Sequence, residues 1–123
     1  MIDWGTIEHF SESEFTCHCG CGETAMEESF VRKLDNVRHD LGFPFVISSG
    51  YRCPEYNNQV SSTGLDGPHT TGKAADIVIS GRNARRLLTA ASQVFGGIGI
   101  SQKGEWARRF IHVDDLDTRV WTY

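Results

Sequence analysis

Between Thr24 and Gly42 the apolar residues Met26, Phe30, Leu34, Val37 and Leu41 recur every three or four positions, with charged residues filling most of the gaps. That period puts them on one stripe of an amphipathic helix. Thr24 and Glu27 stand at capping-box spacing before it, and Gly42 with Pro44 marks its end. The pattern then changes: "FPFVISSGY" is a short, apolar, β-branched run of the kind that forms a strand. Residues 54–68, "PEYNNQVSSTGLDGP", are rich in Pro, Asn, Ser and Gly and predict a loop with a turn of helix over 55–60. "KAADIVIS" reads as a buried strand. "NARRLLTAASQVFGG" reads as a second helix, with Ala84, Leu87, Leu88, Ala91 and Phe95 on one stripe, Asn83 as its cap and Gly96 at its end. Three more strands are predicted at "GIGIS", "RFIHVDD" and "RVWTY". Two main helices with about five short strands, joined late in the chain by hairpin-like connections, predict an α+β domain whose helices cover one face of a small, mostly antiparallel sheet.

A length of 123 residues suits one domain with a core of its own. Within it, residues 1–25 form a cysteine-containing segment ahead of a core over 26–123. The 16 acidic and 12 basic side chains leave a net charge of -4, without the basic footprint of a nucleic-acid binder. Neither the opening "MIDWGTIEHF" nor any later stretch has the apolar run of a secretory signal or of a membrane span. The expectation is a chain made in the cytoplasm that reaches any outside target by another route.

Three of the four cysteines crowd into "CHCGCG" as Cys17, Cys19 and Cys21, and Cys53 is distant in sequence. On a strand the three alternate positions would share a face, and with His18 or Cys53 nearby they suit a soft metal. The spacing is tighter than the usual two-plus-two zinc site. A small structural metal site, a disulfide to Cys53 and free thiols are all open, because connectivity does not follow from sequence. None of the three points to catalysis, and the spacing does not match the Cys-x-x-Cys of redox proteins.

The chemistry concentrates elsewhere. "HTTGKAADIVI" places His69 and Asp76 seven positions apart, running into a strand. In "RFIHVDD", strand alternation puts Phe110, His112 and Asp114 on one face. Two imidazoles and a carboxylate are sound ligands for Zn²⁺, and three protein ligands leave the fourth tetrahedral position for water, as catalytic zinc requires. Spacing alone also allows a plainer reading, with His69 in a loop, Asp76 as a turn former and His112 as a core residue satisfied by a backbone carbonyl. "SSGYRCPEYN" adds Tyr51 and Arg52 at the end of a strand. A guanidinium there suits a carbonyl oxygen that becomes negative during acyl transfer, against the alternative of a surface ion pair.

"SGYR", then "HTTGKAAD" in the pattern His-x-x-Gly-x-Ala-x-Asp, then "FIHVD" and a final "RVW" resemble the zinc D-alanyl-D-alanine carboxypeptidase and murein endopeptidase family, whose fold the hedgehog signalling domain shares. The likeness covers residues 26–123 and is greatest to the branch with a C-terminal "HVD" motif, which includes many phage-encoded proteins. It implies His69, Asp76 and His112 as zinc ligands and Arg52 as the group that steadies the oxyanion. The family's general base often lies a few positions before the last ligand, but position 109 is Arg109. Asp114, on the face of His112, and Glu105, in the loop "QKGEWARR", are the two acids that could replace it. Alternation favours Asp114, which could instead orient a ligand. The resemblance implies a zinc peptidase cutting a D-Ala- or diaminopimelate-containing peptide bond of peptidoglycan, delivered by lysis or in a virion, and the chain is expected to be a monomer. The alternative is a catalytically silent zinc-binding module that docks on a cell wall or in a phage tail.

Overall fold

A computed structural model describes residues 1–123, an α+β chain of three α-helices and a mixed five-stranded sheet. In chain order the elements are α1 (Glu28–Leu41), β1 (Val46–Ser49), α2 (Pro54–Val60), β2 (Ala74–Val78), α3 (Gly81–Ala91), β3 (Gly97–Ser101), β4 (Phe110–Asp114) and β5 (Arg119–Thr122), with short 3-10 turns between and before them. The sheet order is β1-β2-β4-β3-β5. The first three pairings are antiparallel, and β5 lies parallel to β3 at the edge.

Alternation along the central strands separates two chemistries. Ala75, Ile77, Ile98, Ile111 and Val113 join the hydrophobic core with Phe30, Val31 and Leu34 of α1 and Leu87 of α3. Each large side chain buried there contributes about 1.5–3 kcal/mol. The intervening positions Asp76, His112 and Asp114 are polar and also buried. A strand two residues out of register would lose this sorting only in part, but a slip of one would drive the ionisable groups into the core. No helix is long and apolar enough to cross a membrane.

The first 27 residues pack into the same core through Ile7, Phe10, Phe15, Cys17 and Met26. Buried Asp35 on α1 accepts the backbone N–H groups of Glu8 and His9 at 3.0 and 2.9 Å, and the Tyr51 N–H donates to the Phe15 carbonyl at 2.9 Å.

Several local expectations change. Thr24 does not cap α1, because its hydroxyl bonds Thr16 Oγ1 at 2.8 Å; the helix starts at Glu28 after Glu27, and the Ser11 N–H donating to Glu14 Oε2 at 2.8 Å belongs to a capping box in the preceding 3-10 turn. Asn83 lies inside α3, which follows Ser80 and ends at Ala91, ahead of Gly96. The chain from β4 to β5 does not form a hairpin: β5 crosses to the far side of β3. Residues 18–21 form a turn and not a strand, so alternation does not govern Cys17, Cys19 and Cys21.

Candidate metal centre

His69 sits on a 3-10 turn, Pro68–Thr71, while Asp76 on β2 and His112 on β4 are direct cross-strand partners. Facing positions of an antiparallel pair hold side chains a few ångströms apart, which brings two of the three groups together through register alone. The turn adds the third. The ligating atoms of His69, Asp76 and His112 all lie within 4.8 Å of one another, and all three residues are buried.

The outer hydrogen bonds fix what the inner atoms present. A carbonyl oxygen only accepts, so His69 donates from Nδ1 to the Gly50 carbonyl at 2.8 Å and turns its Nε2 lone pair toward Asp76 Oδ1, 3.3 Å away. His112 Nε2 donates to Asp114 Oδ2 at 2.7 Å, leaving Nδ1 2.9 Å from the same Asp76 oxygen. Two imidazole lone pairs and a carboxylate oxygen therefore converge, an arrangement that requires a cation or a proton among them. The donor types and their burial fit a divalent cation held by His nitrogen and carboxylate oxygen.

Protonation follows the same electrostatics. Burial by itself would raise the Asp76 pKa, but hydrogen bonds from His112 and His69 outweigh it and hold the carboxyl well below the usual carboxylate range. Burial would lower the His112 pKa, yet Asp114 and Asp76 raise it, as a proton standing in for a cation would require. Asp114 also overcomes its own desolvation, through His112 and Arg119, and its pKa falls to about 2.

A cavity of about 510 Å³ opens over this cluster, lined in part by Arg52, His69, Asp76, His112, Trp121 and Tyr123. Arg52 Nη2 stands 3.8 Å from Asp76 Oδ2. Its Nε donates to Ser49 Oγ at 3.0 Å and its Nη1 to Asn57 Oδ1 at 3.2 Å, so the guanidinium is held from two sides. A bulge in β1 between Ile47 and Ser49 brings Ser49 opposite Asp76. Asn57, 1% exposed, spends its amide on Thr63 and Gly64 and its carbonyl on Arg52.

The sequence model of Peptidase M15 matches residues 8–114, from before the cysteine turn through Asp114. The chain belongs to the Peptidase M15 family. No curated protein matches it. As an M15 member it is a metallopeptidase, and the family match extends further toward the N-terminus than the resemblance drawn from motifs over 26–123.

In this M15 chain the structure brings four of the six candidate site residues, Arg52, His69, Asp76 and His112, to one cavity. Asp114 is fully buried beneath it, and its oxygens are taken by His112, Arg119 and the Leu116 N–H. Glu105 is exposed at the start of a 3-10 turn and does not line the cavity. Arg109 bends back over Trp106, with its guanidinium 4.8 Å from the ring centre, and donates to the Gly104 carbonyl. Sequence reasoning assigned no role to Ser49, Asn57, Arg119 or Trp121. The quoted "RVW" held the signal for the last two: Arg119 pairs with Asp114 through two bonds of 3.0 and 2.8 Å and also lies 4.7 Å from the Trp121 ring, which in turn sits 5.0 Å from His112.

Proposed function

We propose that the protein is a zinc peptidase that hydrolyses a peptide bond in bacterial peptidoglycan, one flanked by D-alanine or diaminopimelate. The observation that carries this reading is the convergence of three buried donors on the floor of an open cavity with a fixed arginine beside them. In this reading His69 Nε2, Asp76 and His112 Nδ1 hold the metal. Zinc, when bound there, supplies Lewis-acid polarisation and lowers the pKa of water.

The remaining work falls to the chain's own groups. Arg52 directs donors at the carbonyl oxygen of the scissile bond and stabilises the negative charge that develops on it, a role suited to a guanidinium already held by Ser49 and Asn57. The Gly50 carbonyl and Asp114 each take the outer proton of a histidine and so keep the inner nitrogens aimed at the metal. Arg119 keeps Asp114 ionised for that task. We therefore assign Asp114 to positioning, the second of the two roles expected for it; Glu105 lies outside the cavity, so neither expected acid is assigned to proton transfer. Cell-wall action after phage lysis or virion delivery is the biological setting in keeping with the "HVD" motif.

One observation favours the silent docking module: apart from Asp76, no carboxylate lines the cavity. The two readings part in a mass-resolved digest of purified peptidoglycan from several wall chemotypes, with and without chelator. Chelator-sensitive release of peptides that differ by one broken amide supports the peptidase and identifies the bond. Binding to the wall without release supports the module.

A further inference from the structure

A second cluster of ligating atoms lies outside the catalytic cavity and plays no part in the chemistry above. Cys17, Cys19, Cys21 and Cys53 bring all four sulfurs within 4.8 Å of one another. Cys17 Sγ and Cys19 Sγ are 3.5 Å apart, and Cys19 Sγ and Cys53 Sγ 3.7 Å. Tetrahedral zinc with Zn–S bonds of about 2.3 Å sets its sulfurs about 3.8 Å apart. Disulfide partners would stand at about 2.05 Å, and four sulfurs so joined would separate into two pairs.

The backbone is shaped to the cluster. The Cys17 N–H donates to the Glu23 carbonyl at 2.9 Å and closes the turn, while Gly20, at φ 92°, takes a left-handed conformation that lets the chain double back between Cys19 and Cys21. The fourth sulfur arrives from another part of the chain, on the residue that opens α2. Its backbone N–H points at Cys17 Sγ, 3.4 Å away, the kind of hydrogen bond that supports a thiolate.

We propose that these four cysteines bind one structural zinc ion as thiolates. Binding converts four thiols and Zn²⁺ into a four-coordinate tetrathiolate with the release of four protons, and no coordination position is left for water or substrate. The choice of zinc over harder cations follows from the all-sulfur donor set. The ion ties the turn at 17–21 to Cys53, next to Arg52 and three residues beyond Gly50, whose carbonyl anchors His69. It acts as a clamp between the N-terminal segment and the loop that carries Arg52.

The full-length protein tests this with cobalt in place of zinc. Wild type and His112→Ala should both display thiolate-to-cobalt charge-transfer absorption, and the double variant Cys19→Ser/Cys21→Ser should lack it. Both of those side chains are exposed, so the variant should keep its circular dichroism. In the zinc-loaded protein all four thiols should resist a native thiol reagent, even the exposed Cys19 and Cys21, and react once a chelator is added. Free reaction of Cys19 and Cys21 before chelation, an intact-mass deficit that reports disulfides, or iron at the tetrathiolate would each overturn the proposal.

Discussion

His69, Asp76 and His112 meet on the face of a regular sheet beneath an open cavity, whereas Cys17, Cys19 and Cys21 share one turn and meet Cys53 from the loop before α2. The first cluster has three donors of mixed type, and each histidine is held from outside by a second partner. The second has four donors of one type, each from the end of a short side chain, with the backbone itself supplying the added hydrogen bond. Three donors beneath a cavity leave room for a reacting molecule, and four thiolates around one ion leave none. The proposed catalytic and structural centres thus differ in donor count and surroundings more than in the ligands alone.

The largest effect that would sharpen the contrast is at the histidines. His112→Ala, or His69→Ala, should abolish hydrolysis and remove one equivalent of metal by elemental analysis, while the cysteine-bound equivalent stays. Loss of both equivalents would mean that the clusters are not independent. Next comes Arg52→Lys, which keeps charge but loses the fork that reaches Ser49 and Asn57. It should cut turnover about 10²-fold or more with metal content and melting temperature little changed; an active lysine variant would return Arg52 to an ion-pair role.

Asp114→Asn separates positioning from proton transfer. With its charge removed, the pair with Arg119 is lost and His112 keeps at most a neutral amide acceptor, so zinc affinity at this centre should fall about 10 to 100-fold in a competitive chelator titration. Full affinity with lost turnover would make Asp114 the base after all, and Glu105→Gln in the same assay asks whether the loop acid takes that part.

Smaller still is the effect at Gly97, where an added Cβ would run into Asp114 and the Arg119 guanidinium. Gly97→Ala should destabilise the fold by about 1–3 kcal/mol in denaturant titration, through overpacking. The smallest concerns acid. The Asp114 pKa drops from its ordinary 3.8 to about 2 in the folded chain, so its contribution to stability is complete above the ordinary value and is lost as pH falls through about 2. In chelator-treated protein, Asp114→Asn should flatten the stability profile over that window, and an unchanged acid limb would show that the bonds from His112 and Arg119 to this carboxylate contribute little.

What the sequence made legible follows from which interactions have a period. The stripes of α1 and α3 and the alternation of β4 reflect burial directly, and burial repeats with the backbone. Caps and strand order do not: Thr24 is drawn to Thr16 and β5 to β3 by contacts that no local pattern records. The same divide runs through the site. Ligand types and their motif order pointed to His69, Asp76 and His112. The Gly50 carbonyl that orients His69 has no side-chain signature, and Asn57 looks like any loop asparagine until its burial is seen. Three of the cysteines were legible as a cluster, but that Cys53 completes it needed the fold in hand, because its approach depends on the packing of Phe15 against Gly50 and Tyr51.

The most direct test of the central claim is to strip the protein with chelator and follow release of peptides from purified peptidoglycan as zinc is titrated back, for wild type and His112→Ala in parallel. Neither stripped protein should release peptides, wild type should recover as zinc is restored, and His112→Ala should not recover at any zinc concentration. Release of the same peptides by His112→Ala, or by the stripped wild type, would contradict the claim.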